Sequence, residues 1–505
     1  MKYNFHRDFY NLMLDSIDNN SVTFLLGTRK CGKTVCLKQL EEALSDAIYV
    51  DFKQLNNAES YKIIDDIIES IANDKNIIYL LDEITSVNRF DDIICRIAES
   101  YTDLKNLNTK IVFSGSQSVA LELCSDRAFA GNANIISVDF LSYSEFLRFK
   151  NIKEISEESY SRFIMEASDF YDNFTSLKEY LKGCINETVI SNMKASEVML
   201  GNETSLIKDD ADYLVNLCYQ TLFSLHKQIG EMRFFMGNRL IDDIPHYFRD
   251  VCKELGDDII SEKICSSFVG SYNSIKSRDA EMLRQSLMFL EKCNLITISS
   301  VANNLDDIPD IRRNILTGNN TSNLRADLFN KFNVCIKYPM FYVQILKDIL
   351  GKDMPTKLPN ELLGSIVECH ARALLSNGFE LKTNELTEDG KYVQHEIDFI
   401  EIEKSTATEF TISNKHKNHF NILPDYFKKV KLSRDISSND NGIIKVPYYE
   451  YLYNLSKEKY LSKNITNKSL QFTKDSLKHD LAEKKAAEKD APFKPGHEKN
   501  QNQSL

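Results

Sequence analysis

The chain has 505 residues, a length that exceeds what one hydrophobic core organises and predicts about three domains. With 62 Lys plus Arg against 74 Asp plus Glu, the net charge of −12 argues against sequence-independent nucleic-acid binding over the whole surface and leaves only a local basic patch open. Eleven cysteines without C-x-x-C spacing point to reduced thiols rather than structural zinc, and no window nears the ~18 uninterrupted apolar residues of a membrane span, so the chain is expected in the cytoplasm, without a membrane partner.

Val22 to Leu26 is an apolar run that reads as a buried strand, and a helical stretch opens at Val35. Between them stands Gly27-Thr28-Arg29-Lys30-Cys31-Gly32-Lys33-Thr34, the G-x-x-x-x-G-K-T spacing of a phosphate-binding P-loop, or Walker A motif. The flanks are what that chemistry requires: glycines let backbone N–H groups close on the β- and γ-phosphates, and the helix offers its positive end to the same anion. Residues 27 to 34 are therefore candidate ATP contacts. Lys33, expected to be exposed to the phosphates, reaches their oxygens, and Thr34 ligates Mg²⁺. Cys31 reads either as a small spacer or as a thiol acidified by Lys33.

Ala47 to Phe52 is the next strand candidate. Asn76-Ile77-Ile78-Tyr79-Leu80-Leu81-Asp82-Glu83 follows, an apolar run covered on both faces with two acids at its C-terminal end, where open α/β sheets place their chemistry. This is the Walker B position: Asp82 is expected to hold Mg²⁺ through its water shell and Glu83 to polarise the attacking water. Lys110 to Ser116 ends in Ser114 and Ser116, candidate contacts to the γ-phosphate or the water, although Ser-Gly-Ser is also ordinary turn chemistry. Asn134 to Phe140 adds a strand, and Ser142 to Leu147 opens a helix with a capping-box start. The expectation for 1–150 is an α/β P-loop ATPase domain on a parallel sheet.

The succession P-loop, Leu80-Leu81-Asp82-Glu83-Ile84-Thr85, Phe113-Ser114-Gly115-Ser116-Gln117-Ser118 and Leu141-Ser142-Tyr143-Ser144-Glu145-Phe146-Leu147 resembles the AAA+ ATPases of prokaryotes that carry a C-terminal domain of unknown function. The resemblance spans residues 4 to 149 and resumes near the C-terminus. It implies ATP, Mg²⁺ and ATP hydrolysis. In that family an arginine follows an Ala-Gly pair and acts as a sensing or trans-acting group; here Asn132 stands there, with Arg127 and Arg148 as substitutes nearby. Many relatives form rings, and Asn132 leaves both monomer and oligomer open.

Residues 151–350 read as mostly helical, through Tyr213 to Leu217 and Ile259 to Phe268. Within them, about 255–300, a helix over Ser277 to Cys293 that turns directly into the strand Asn294 to Ile298 has the order of a winged helix, with Arg278 and Arg284 as candidate DNA contacts. Asp279 and Glu281 at the would-be reading end favour a purely structural bridge over DNA reading.

Residues 351–455 begin with an amphipathic helix, Asn360 to Leu375, followed by strands from Gly378, at Lys391 to Glu403, Ala407 to Ser413, Tyr426 to Leu432 and Gly442 to Pro447. This succession is similar to the restriction-endonuclease-like fold, whose metal site takes an acid on the helix, an Asp on one strand and Glu-x-Lys on the next. Glu368, Asp398 and Glu409 occupy the acidic positions. Thr411 stands where the lysine is wanted, and Lys415 lies four residues further on, about 13 Å along an extended strand. The expectation is a degenerate nuclease site. Residues 456–505 are a polar tail, with 482–505 expected disordered because such a composition cannot offset its ordering entropy. Two functions follow: an ATPase whose cycle acts on a DNA or protein partner through the winged-helix and C-terminal domains, or an ATP-regulated nuclease.

Overall fold

The computed structural model describes residues 5–101, 108–116, 118–170, 176–188, 211–224, 228–230, most of 286–302, 331–354, most of 358–386, 392–401, 404–410 and 419–459. Val22–Gly27 forms β1, and all six of its residues are buried, as a strand covered on both faces requires. Around it β2 (Ala47–Asp51), β3 (Ile78–Asp82), β4 (Lys110–Ser114) and β5 (Asn134–Val138) complete a five-stranded sheet in the order β2-β3-β4-β1-β5. Every pairing is parallel.

Parallel neighbours need long crossovers, and helices supply them: α2 (Lys33–Ala43), α3 (Asn57–Ala72), α4 (Phe90–Ser100) and α5 (Ser118–Phe129), with α1 (Phe9–Asn19) leading into β1. Asn56 and Glu59 close a capping box that starts α3 by satisfying two orphan amides. Ile64, Ile67 and Ile71 of α3 and Ile93, Ile94 and Ile97 of α4 recur at three- and four-residue spacing and share one core with Phe24 and Phe113. Those two rings stack at 4.9 Å, and burial of each stabilises by roughly 1.5–3 kcal/mol. The five expected strands thus form, differing from expectation only at their ends.

The capping box at Ser142 and Glu145 opens α6 (Tyr143–Phe149). Then come α7 (Glu157–Glu166), α8 (Leu177–Thr188), α9 (Ala211–Ser224) and α10 (Pro339–Leu350), packed around Phe146, Phe163, Leu181, Leu217 and Phe341. This stretch is not helical throughout. β6 (Gln228–Gly230), β7 (Ile296–Ala302) and β8 (Lys331–Ile336) join β9 (Gly378–Leu386), β10 (Tyr392–Glu401), β11 (Thr406–Glu409), β12 (Lys428–Ser433), β13 (Ser438–Asp440) and β14 (Ile443–Pro447) in one sheet ordered β13-β14-β12-β11-β10-β9-β7-β8-β6.

The segment read as helix, turn and wing is helical at 286–287 and 289–291 and enters β7 after Asn294. That strand is no separate wing: it lies antiparallel to β8 and parallel to β9. Ile296, Ile298, Ser299, Val301 and Ala302 are all buried, which an exposed ribbon could not provide. Residues 255–285, with Arg278 and Arg284, lie outside the described residues, as do Thr411, Lys415 and the tail from 460. Beyond α11 (Asn360–Leu374), β9, β10 and β11 run antiparallel to one another in turn, whereas β12 and β14 continue parallel to β11.

Candidate nucleotide-binding site

The C-terminal ends of β1, β3 and β4 line up across the sheet, with Leu81 beside Phe113 and Leu25 beside Ser114, and β5 brings Val138 beside Gly27. Gly27 has φ +154, and a Cβ there would meet the Val138 carbonyl at 2.4 Å and Cys31 Sγ at 2.8 Å, so only glycine fits. Ser118 Oγ accepts from Gly27 N–H and donates to its carbonyl, both at 2.8 Å. Cys31 is buried against this turn, in keeping with a spacer. Gly32, at φ +96, ends the loop and caps α2.

Lys33 departs from the expectation of an exposed side chain. It is 6% exposed and donates to the carbonyls of Gly27 (2.7 Å) and Thr28 (3.0 Å), because a buried ammonium must find acceptors and the curled loop offers its own. Thr28 Oγ1 and Ser114 Oγ are buried without a hydrogen-bond partner. Buried hydroxyls are ordinarily paired, and unpaired ones in and beside a P-loop fit a phosphate-bearing ligand.

Thr34 stands near enough to Asp82 for its hydroxyl to lower that carboxyl, so the two expected metal-binding groups are neighbours. Tyr49 OH donates to Asp82 Oδ2 at 3.0 Å and Glu83 N–H to Oδ1 at 3.1 Å. Burial pushes the Asp82 carboxyl above its ordinary value and Glu83 adds to the effect, against the hydrogen bonds from Thr34 and Tyr49. A carboxylate made costly by burial, joined to a threonine hydroxyl, suits a hard divalent cation with oxygen ligands.

Glu83 sits in the left-handed region at φ 52, a conformation non-glycine residues adopt when surroundings enforce it. Its carboxylate accepts from Ser116 Oγ at 2.7 and 2.8 Å and from Ser116 N–H at 3.2 Å, with Lys53 Nζ at 3.9 Å. Ser116 thus contacts Glu83, while Ser114 carries the unpaired hydroxyl. Four further residues hold the site that motif reading passed over: Ser118, Tyr49, Arg7 and Tyr180. Arg7 Nη1 donates to the Cys31 carbonyl at 2.6 Å, and Tyr180 OH to that of Arg29 at 2.8 Å. Their distance along the chain hides them. Asn132 is exposed, Arg127 lies in the last turn of α5, and Arg148 is engaged by Asp8 Oδ1 (2.6 Å) and the His6 carbonyl (2.8 Å).

In the C-terminal region the three candidate acids, Glu368 on α11, Asp398 on β10 and Glu409 on β11, each have local partners. Glu368 Oε1 accepts from Arg372 Nη2 at 2.8 Å, and the same nitrogen reaches Glu380 Oε2 at 3.0 Å. Asp398 accepts from the Phe410 amide at 2.7 Å; burial, then Glu368, push its carboxyl well above the usual range. Glu409 pairs with Lys431 Nζ at 3.3 Å. Among the described residues no group of three or more His, Cys, Asp or Glu is spaced to hold a metal ion, so Glu368, Asp398 and Glu409 do not converge as one. No described helix is long and apolar enough to cross a membrane.

Among solved structures, AMPPCP-bound DnaA from Aquifex aeolicus aligns at 14% identity over 56% of this chain and 91% of that one, with a TM-score of 0.23. A DNA replication initiation factor aligns at 15% identity over 57% and 90%, with a TM-score of 0.24. At such TM-scores the likeness carries no argument. No curated protein matches the chain. Residues 19–147, which hold the P-loop, Asp82, Glu83 and all five parallel strands, match the family model described as an AAA domain, and the sheet is the P-loop α/β fold that such a match implies.

Proposed function

We propose that this chain binds ATP with Mg²⁺ at residues 27–34 and hydrolyses it. The observation that carries the reading is the meeting of the loop with Asp82 and Glu83 at one sheet edge, where the Thr28 and Ser114 hydroxyls are buried without a hydrogen-bond partner. Lys33 exchanges the Gly27 and Thr28 carbonyls for phosphate oxygens. Thr34 and Asp82 are the groups to hold Mg²⁺, which supplies charge neutralisation at the phosphates when bound. Glu83 orients a water and Ser116 sets the position of its carboxylate. Lys33→Ala is expected to abolish nucleotide binding, and Glu83→Gln to bind ATP but turn it over slowly. Unchanged affinity and turnover in Lys33→Ala refute the assignment.

The nucleotide cycle acts, in this reading, on a DNA or protein partner of the C-terminal region, in the cytoplasm. The succession of α11, an antiparallel β9 to β11 and a parallel β12 supports the restriction-endonuclease-like architecture there. The alternative, an effector nuclease using Glu368, Asp398 and Glu409, is disfavoured by the ion pairs to Arg372 and Lys431. Mg²⁺- or Mn²⁺-dependent cleavage by the wild type, lost in Asp398→Ala, would reverse that order.

A further inference from the structure

Asp139, the residue after β5, is 7% exposed, and its Oδ1 gathers three donors from far along the chain: Asn294 Nδ2 at 2.6 Å, Lys337 Nζ at 3.0 Å and Tyr338 OH at 3.1 Å. Asn294 stands just before β7, and Lys337 and Tyr338 just after β8. Asn294 also bonds Tyr338 OH at 2.8 Å and accepts from Lys337, so the three donors brace one another. On its main-chain side, Asp139 presents its carbonyl to Arg7 Nη2 at 3.0 Å. The same guanidinium reaches the P-loop through the Cys31 carbonyl at 2.6 Å, and α6 through Glu145 Oε1 at 2.7 Å. A second strut runs alongside: Tyr180 holds the Arg29 carbonyl, its ring packs edge-on against Phe140 at 5.7 Å, and Phe140 packs against Tyr338 at 4.6 Å.

We propose that Arg7 and Asp139 are positioning residues that tie the shape of the phosphate loop to the ends of β7 and β8, so that nucleotide occupancy and the order of those two strands are coupled. The proposal rests on the reading of the loop as an ATP site. Carbonyls 29 and 31 belong to the loop whose N–H groups face the phosphates, so a loop that closes on an anion moves both. A guanidinium is a rigid planar fork of donors, and Arg7, with all three of its nitrogens bonded and its ion pair to Glu145 nearly sealed from solvent, transmits that shift to the residue 139 carbonyl instead of absorbing it. The opposite face of residue 139 is fixed to the β7 and β8 ends. Coupling of this kind is reciprocal: whatever disorders those ends weakens nucleotide binding by the same factor.

The test is hydrogen exchange on the full chain, with and without Mg²⁺ and a non-hydrolysable ATP analogue, together with the analogue's affinity. In the wild type the analogue is expected to slow the amides of 294–302 and 331–338. Lys337→Met and Tyr338→Phe, which alter no hydrogen bond to the loop, should lose that response and bind the analogue about fivefold more weakly or worse. Arg7→Lys keeps a charge for Glu145 but replaces a planar fork of three nitrogens by a single one that cannot span the three acceptors, and should lose the response too. A wild type that binds the analogue without any change in those two segments overturns the coupling and leaves the ATP site standing. Variants that keep the full response also overturn it. A wild type that binds no analogue sinks the ATP-site reading, and the coupling with it. Should the variants fail to fold, the wild-type exchange pattern decides alone.

Discussion

Arg372→Met, on α11, is the most informative single change in the C-terminal region. The arginine is 1% exposed and bonds Glu368 through Nε (3.1 Å) and Nη2 (2.8 Å) and Glu380 through Nη2 (3.0 Å), with its guanidinium 5.6 Å from the centre of the Phe410 ring. Burial works against its charge, but Glu380, Glu368 and Asp398 outweigh burial and keep it protonated. Methionine fills much of the same space and removes the charge. Glu380 still has Lys382 at 2.8 Å, but Glu368 and Asp398 then lose their nearest cation. Breaking a buried pair from one side costs about 3–5 kcal/mol, a large share of the ~5–15 kcal/mol that stabilises a folded domain. The expected result is a fall in the urea midpoint at pH 7.5 that shrinks at pH 5, because burial holds the Asp398 carboxyl well above the usual range and its protonation relieves an unpaired charge. A loss below about 1 kcal/mol at pH 7.5 would refute the account.

Two other tests address separate parts of the molecule. His370 is buried with its Nδ1 3.0 Å from Tyr160 OH, and burial pushes it down to about 3, so the folded state keeps it neutral while the unfolded chain binds a proton below pH 6.5. Stability should therefore be complete above pH 6.5 and fall as the pH drops toward 3, by about 2 kcal/mol between pH 6.5 and 5; His370→Gln should flatten the dependence of the urea midpoint in that window, and an unaltered slope would count against it. Ser116→Ala removes the hydroxyl that meets both Glu83 oxygens, so ATP affinity should hold while turnover falls about tenfold or more, and a faster enzyme would mean that Ser116 restrains Glu83 rather than aims it.

The legible half of the molecule is the half whose chemistry is local. The P-loop compresses strand, turn and helix into residues 22–35, and the central strands β1, β3 and β4 announce themselves as apolar runs because both of their faces are covered. The capping box at Ser142 and Glu145 was readable for the same reason: both partners lie within one turn. What stayed hidden is long-range. Arg7 stands 138 residues from Glu145, and Tyr180 lies 151 residues from Arg29, so no window contains either pair. The strand β7 was readable as a strand but not as a member of a nine-stranded sheet, since its partners β8 and β9 lie beyond a long intervening stretch.

The lysine question in the C-terminal sheet has the same physical root. Motif reading looks for a cation two residues after Glu409, because residues i and i+2 share a face of one strand. Register offers a second route, since residues opposite each other on neighbouring strands also share a face. Glu409 pairs with Lys431 across the parallel β11 and β12, and the ammonium lies 3.3 Å from the carboxylate. The cation sought along one strand thus arrives from the next. On α11 the second cation was in plain view: Arg372 follows Glu368 by four residues, the spacing at which helical side chains meet. With Glu368 answered by Arg372 and Glu409 by Lys431, two of the three candidate acids already have their counter-charge within the protein, and a divalent ion would have to displace both before it could gain those ligands.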